Sequence, residues 1–332
     1  MNKISVLGAG GWGTTLAMVL SNNKHKVTLW EYTPVYYETL INHRENFYYL
    51  PGVKIPKNIH ITNDLEEAIR ASDILIVSTP TQFIRPAFSS VQNLDFKNKI
   101  VISVSKGIEN DSLMLVSDIL PDIFKSLKRK NLAALSGPSH AEEVSRKIPT
   151  AVVAACEDIK IAKLTQKIFS NEYFRVYTST DLIGTEVGGA LKNVIAIAAG
   201  ISDGAGFGDN TKAAIITRGL NEIMKVGIKL GAKKETFFGL SGLGDLVVTC
   251  DSEHSRNRTV GFQLGQGKKL KTILKEMKMV AEGVATSKSA CQLAKKLKIE
   301  VPIVNEVYGI LFKDDNPILS TKKLMLRSLK QE

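Results

Sequence analysis

Residues 4–20 read ISVLGAGGWGTTLAMVL, and the order of their parts decides the fold. Ile4–Leu7 is a short apolar run of the kind that forms a buried strand, and Thr14–Ser21 carries helical spacing. Between them Gly8-Ala9-Gly10-Gly11-Trp12-Gly13 fits the pattern G-x-G-x-x-G. A second strand, Val27–Trp30, follows within a single βαβ unit, which is the context the pattern requires. In that setting Gly8 allows a tight turn, Gly10 lets the backbone approach a pyrophosphate, and Gly13 permits close packing of helix on strand. The start of the helix then offers free N–H groups and a favourable dipole to an anion.

The end of the second strand is where a dinucleotide's adenosine ribose is read. Glu31 stands there, at a spacing suited to bonding the ribose hydroxyls, and its carboxylate would repel the extra phosphate of NADP. Neighbouring Tyr32 and Thr33 supply no arginine to receive that phosphate. The expected cofactor is therefore NAD or NADP, with NAD favoured.

Outward from this unit, short apolar runs continue to alternate with helical patterns, which predicts a parallel sheet. The expected strands are Ile59–Thr62, Ile74–Ser78, Ile100–Val104, Leu132–Leu135, Ala151–Ala154 and Phe174–Tyr177, with a helix in DLEEAIRAS before Ile74. Pro34–Pro56 reads as a helix followed by an excursion loop. After about Leu182 the apolar runs lengthen, strands become scarce, and Gly200, Gly231, Gly261 and Gly267 are expected to mark helix ends. The pattern predicts an α/β fold, with a Rossmann-like dinucleotide-binding domain over 1–182 and an all-α substrate domain over 183–332.

The bulk numbers agree with two domains: 332 residues, 44% hydrophobic and 23% charged, describe an ordinary globular chain. The apolar run Val187–Ile201 is shorter than the roughly 20 residues of a membrane helix, so no membrane span is expected, and the N-terminus does not read as a secretion signal. Cys156, Cys250 and Cys291 lie far apart and read as reduced thiols of a cytoplasmic protein. They and the five histidines show no ligand spacing, so no metal is expected. The net charge of +11 is spread over many segments. Its densest stretch, KKLKTILKEMK from Lys268 to Lys278, has the spacing of a solvated amphipathic helix. The charge thus suits anionic small molecules, and no nucleic-acid partner is expected.

One residue stands out in the second half. From Val187 to Ile201 the chain reads VGGALKNVIAIAAGI, and Lys192 and Asn193 are its only polar side chains. Lysine is rarely fully buried. When it is, burial favours the neutral amine and makes the group useful for moving a proton. Snorkelling along its own stem is the plainer alternative.

Several motifs now line up in order: GAGGWGTTLA, VSKGI (Val104–Ile108), SGPSHAEEV (Ser136–Val144), GGALKNVIAIAAGISDG (Gly188–Gly204), GLGDLVVTC (Gly242–Cys250) and SRNR (Ser255–Arg258). Together they resemble the bacterial-type NAD(P)-dependent glycerol-3-phosphate dehydrogenases, over residues 1 to about 310. The resemblance implies interconversion of dihydroxyacetone phosphate and sn-glycerol 3-phosphate by hydride transfer with NAD(P)H, supplying glycerophospholipid synthesis. It also implies a homodimer. It makes Lys192 the catalytic acid/base, Lys106 a second active-site lysine and Asp245 a carboxylate that orients Lys192 or bonds a substrate hydroxyl. It sets Lys106, Gly137, Ser139, Lys192, Asn193, Asp245, Ser255, Arg256 and Asn257 at the substrate. Cofactor contacts are implied for Gly8, Gly10, Gly11, Trp12, Gly13, Glu31, Tyr32, Lys106, Ala141, Arg256, Val280 and Glu282. Position 32 varies in the family, so Tyr32 leaves the choice of nucleotide open. Two other readings share the nucleotide turn: a β-hydroxyacid dehydrogenase acting on carboxylates, and a sensor that binds NAD without chemistry. A sensor has no need of Lys192, Lys106 and Asp245.

Overall fold

The computed structural model describes residues 1–277, 279–329 and 331. The chain gathers into two compact units. The first is Met1–Lys106 with Met114–Glu186, and the second is Gly107–Leu113 with the chain from Val187 onward.

The strands of the first unit are β1 (Lys3–Leu7), β2 (Lys26–Trp30), β3 (Glu45–Asn46), β4 (Leu50–Lys54), β5 (His60–Thr62), β6 (Ile74–Val77), β7 (Ile100–Ser103), β8 (Leu132–Ser136), β9 (Thr150–Ala155) and β10 (Phe174–Ser179). Its helices are α1 (Gly11–Asn22), α2 (Pro34–His43), α3 (Leu65–Arg70), α4 (Ile84–Phe88), α5 (Val116–Ile123), α6 (Ala141–Ser145) and α7 (Ile159–Phe169). Eight strands form one sheet in the order β10-β9-β8-β7-β6-β1-β2-β5. From β5 to β8 all neighbours are parallel, which is the doubly wound order with its switch point beside β1. Alternate residues of each strand feed opposite faces. Ile4, Val6, Ile74 and Ile76 pack with Leu16 and Leu20 of α1 on one face, while Leu7, Leu75 and Val77 meet Ile84 and Phe88 of α4 on the other. Burial on both faces is why these strands read as unbroken apolar runs.

Two features depart from expectation. The sheet is not wholly parallel, because β9 runs antiparallel to β8. The connection between them carries only the five-residue α6, in place of the full crossover helix of a βαβ unit. The 11-residue α7 supplies such a crossover, and β10 is parallel to β9. The excursion after α2 is also more than a loop, since β3 and β4 pair into a small antiparallel hairpin.

The second unit is helical: α8 (Leu182–Gly204, entering from the first unit), α9 (Asp209–Lys229), α10 (Asp245–Asp251), α11 (Arg256–Gly265), α12 (Leu270–Glu276), α13 (Glu282–Leu297), α14 (Pro302–Phe312) and α15 (Pro317–Met325). The basic stretch forms α12 as its spacing predicts, although Lys278 lies outside the described residues. α8 extends beyond the apolar run read from the sequence. At 23 residues it is long and apolar enough to cross a membrane by length and composition, yet it is buried almost throughout within the chain. Two of the four glycines are corrected. Gly231 and Gly267 have left-handed φ of 99° and 88° beyond helix ends, but Gly200 and Gly261 lie inside α8 and α11. A Cβ on Gly200 or Gly204 would strike the carbonyls of Arg258 or Phe262, and one on Gly261 or Gly265 those of Ile197 or Ile201. These glycines therefore let two helices cross backbone to backbone.

Candidate active site

In the first unit the glycine-rich turn leaves β1 at the switch point. Gly8 has φ 120° and sits against Ser78 and Thr79 at the end of β6. A Cβ at Gly13 would collide with the Gly8 carbonyl and the Ser78 hydroxyl, whereas a Cβ at Gly10 would meet nothing within 4 Å. The protein itself thus demands glycine at positions 8 and 13. At Gly10 only close approach by something outside the backbone demands it, and a pyrophosphate fits that requirement. Ser78 Oγ donates to the Gly8 carbonyl at 2.7 Å, and α1 starts within the motif, with Thr14 N donating to Gly10 O at 2.9 Å. Trp12 lies 6.3 Å from Phe174, ring centre to ring centre, and its indole nitrogen is buried without a hydrogen-bond partner among the described residues. At the end of β2, Glu31 is buried and accepts from Thr33 N at 2.9 Å. Burial raises its pKa above the usual carboxylate value. Tyr32 beside it is exposed.

Past the ends of β7 and β8 a second group gathers around one carbonyl. Lys106 Nζ donates to Gly137 O at 3.2 Å, and Ser139 Oγ donates to the same oxygen at 2.8 Å. Gly137 has φ 142°, and a Cβ there would press on Val152. The helix that follows opens at Ala141, after His140. Ala141 faces the glycine turn, its carbonyl accepting from Thr15 Oγ1 at 3.3 Å.

In the second unit Lys192 is buried inside α8. Its ammonium donates to Asp245 Oδ1 and, at 2.7 Å, to Thr249 Oγ1. The pair exposes only 8% and 1% of its side chains. Glycine again sets the register. A Cβ on Gly188, one turn before Lys192, would stand 2.5 Å from the Ser241 carbonyl, so α8 and the turn ahead of α10 come close. That turn, Leu240–Gly244, is π-helical, a geometry frequent at functional sites. Asp245 follows it as the first residue of α10, with Gly244 at the N-cap position. Ser255 caps α11, accepting from Arg258 N at 3.3 Å. The exposed Arg256 guanidinium donates to Val280 O at 2.8 Å, and buried Asn257 accepts from Gly283 N at 2.9 Å. A Cβ on Gly283 would also meet the Asn193 carbonyl at 2.6 Å. Asn193, Arg256, Asn257, Val280 and Glu282 therefore gather at the start of α13. Arg258 is held by Asp203, with nitrogen–oxygen distances of 3.0 and 2.7 Å.

Comparison with known proteins decides the family. The description "NAD-dependent glycerol-3-phosphate dehydrogenase N-terminus" matches residues 3–162, and its C-terminal counterpart matches residues 181–321. The chain belongs to this family. A glycerol-3-phosphate dehydrogenase [NAD(P)+] of Citrifermentans bemidjiense is 49% identical over 330 residues, covering 99% of this chain and 98% of that one. The one from Fusobacterium nucleatum is 47% identical over 332 residues, covering 100% and 99%. The crystal structure of glycerol-3-phosphate dehydrogenase from Coxiella burnetii superposes with a TM-score of 0.94 at 34% identity, covering 98% of this chain and 99% of that one.

Within this glycerol-3-phosphate dehydrogenase fold, sequence reasoning passed over one residue at the Lys192 pair. Thr249 lies in the quoted GLGDLVVTC run, one helical turn after Asp245 and hence on the same face of α10. That spacing was the available signal. Asp203, which anchors the segment carrying Arg256, left no comparable mark in the sequence.

Proposed function

We propose that this chain interconverts dihydroxyacetone phosphate and sn-glycerol 3-phosphate with NAD(P)H, with the first unit (1–182 by sequence) holding the nucleotide and the second (183–332) the substrate. The observation that carries the reading is the buried Lys192–Asp245–Thr249 group, in a chain matching the family through both halves. When bound, the nicotinamide supplies the hydride. The chain's own residues must then hold the ketone, stabilise the developing alkoxide and protonate it. Lys192 Nζ gives that proton, while Asp245 and Thr249 fix where the ammonium points. Arg256 offers an exposed fork suited to a phosphate dianion, flanked by Ser255, Asn257 and Asn193. Lys106 adds a second positive charge beside Gly137 and Ser139. Gly8, Gly10, Gly11, Trp12 and Gly13 receive the pyrophosphate, with Ala141 alongside, and Val280 and Glu282 serve the cofactor with Arg256. Glu31 and Tyr32 read the adenosine ribose, and the carboxylate favours NAD.

The reaction serves glycerophospholipid synthesis in the cytoplasm, and the enzyme works as a homodimer. Ile318, Leu319, Met325, Leu326 and Leu329 at the C-terminal end are exposed, an apolar set that a second copy would cover. The deciding assay follows NADH and NADPH oxidation with dihydroxyacetone phosphate, against 2-oxo and 3-oxo acids. Turnover on the phosphate ester with NADH preferred is the expected result. Turnover on the acids alone would replace this reading with a β-hydroxyacid dehydrogenase, and tight NADH binding without turnover would replace it with a sensor.

A further inference from the structure

We infer that Asn46 is a positioning residue for the dinucleotide turn, fixing the shape of Gly8–Gly13 from behind without touching the nucleotide. The inference rests on the reading that this turn binds NAD(P)H. Asn46 ends β3 and is completely buried, where a polar side chain is tolerated only if its groups are bonded. A carboxamide has two donors and two acceptor sites, and here all are used. Nδ2 donates to Ala9 O at 2.7 Å and to Thr14 Oγ1 at 2.8 Å. Oδ1 accepts from the Tyr36 hydroxyl and from Tyr49 N at 3.2 Å. Thr14 Oγ1 in turn donates to Ala9 O at 3.3 Å, closing the group on one carbonyl.

That carbonyl lies inside the motif. In a planar trans peptide the C=O and the following N–H point in opposite directions. Asn46 holds the Ala9 carbonyl towards the interior and so turns the Gly10 N–H the other way, at a residue whose Cβ would meet nothing within 4 Å among the described residues. The Tyr49 carbonyl of the same hairpin lies where a Cβ of Gly11 would be, at 2.5 Å. The β3–β4 hairpin is therefore a brace that aims a backbone donor at the pyrophosphate, with Asn46 as its fixing point.

The test is titration of NADH against wild type and Asn46→Asp, followed by steady-state KM values for nucleotide and for dihydroxyacetone phosphate. The aspartate keeps the size of the side chain and loses both donors, setting a carboxylate against the Ala9 carbonyl. Losing a buried donor pair should raise the NADH Kd and the nucleotide KM about tenfold or more. The KM for the ketone should stay within about twofold, a split that general loosening of the fold would not give. A wild-type protein that fails to bind NADH would overturn the nucleotide reading and this inference with it. Wild-type binding with an unchanged Kd in Asn46→Asp, or an equal rise in both KM values, would overturn the inference alone. Should Asn46→Asp fail to fold, Thr14→Val removes one partner from outside. A threefold or greater rise in nucleotide Kd, on the order of one lost hydrogen bond, supports the brace, and an unchanged Kd overturns it.

Discussion

Lys192 and Asp245 form an ion pair almost out of reach of water. Such pairs are costly to bury, and replacing one by apolar side chains is often neutral or stabilising. Its presence in an otherwise apolar helix is therefore better explained by chemistry than by stability. Lys192→Met should lower kcat by roughly a thousandfold or more, the scale of a lost general acid with its positioning. It should also cost about 3–5 kcal/mol of stability, because Asp245 is left buried without its counter-charge. NADH affinity, which the proposed function seats in the first unit, should hold within about threefold. Near-normal turnover would remove Lys192 from the mechanism. Arg256→Ala tests the proposed anion site: the KM for dihydroxyacetone phosphate should rise about ten- to a hundredfold, the loss of a charge-assisted fork. An unchanged KM would move the phosphate elsewhere. At this scale the sequence announced Lys192 through its company alone, because a charge among apolar residues needs a partner. The partner's identity came only with the motif resemblance, since α8 and α10 are far apart in the chain and nothing local links them.

Two helices start under carboxylates that come from elsewhere in the chain. Ser117 N, at the start of α5, donates to Glu186 Oε1 at 2.9 Å, and Ile303 N and Val304 N, at the start of α14, donate to Glu222 at 2.8 and 3.1 Å. Neither helix has a side-chain cap of its own, so these long-range carboxylates serve the free N–H groups. Burial pushes both pKa values up, to about 7. A carboxyl whose folded pKa is raised holds its proton more tightly in the native state, so its contribution is fully present below the unfolded value of 4.5 and is lost as pH rises through about 7. Stability should therefore fall between those limits. His25 opposes this trend: burial lowers its pKa, so its contribution is lost as pH falls. Glu186→Gln keeps the acceptor and removes the buried charge, and among the described residues Glu186 Oε2 has no hydrogen-bond partner to lose. The variant should be more stable than wild type at pH 8 by up to about 3 kcal/mol, with the gap closing by pH 5. Urea titrations at the two pH values would show it, and a constant gap would discard the linkage. The α8–α11 crossing gives the complementary test. Gly261→Val forces two extra methyl groups and a Cβ against the Ile197 carbonyl and should cost about 3 kcal/mol or more; a Tm equal to wild type would contradict the close crossing. Helices and strands were legible in the sequence because their periods differ. The helix-crossing glycines were not, because a glycine that ends a helix and one that admits a neighbour look alike until the neighbour is placed.

At the scale of the whole molecule, the alternation of strand and helix giving way to helices alone foretold an α/β nucleotide unit followed by a helical one. The reversal of β9 escaped that reading, since the period of an apolar run marks a strand and carries no information on its direction. The exposed apolar set on and after α15 should hold two copies together: sedimentation should give a dimer, and Leu326→Lys with Leu329→Lys should shift it to monomer while the far-ultraviolet spectrum is kept. A wild-type monomer would end that proposal. The segment Gly107–Leu113 has its own consequence. It directly follows Lys106 in the chain, yet it belongs with the second unit, where the Ile108 carbonyl accepts from buried Ser289 of α13 at 2.9 Å. A gene-level recombination that joined one relative's first 186 residues to another's remainder would carry this short strap across with it. The foreign strap would have to find its hydroxyl in a helix that evolved beside a different one. Viable chimeras should therefore keep residues 107–113 and α13 from the same parent, so a crossover that moves the strap together with α13 should be tolerated better than a single join after residue 186.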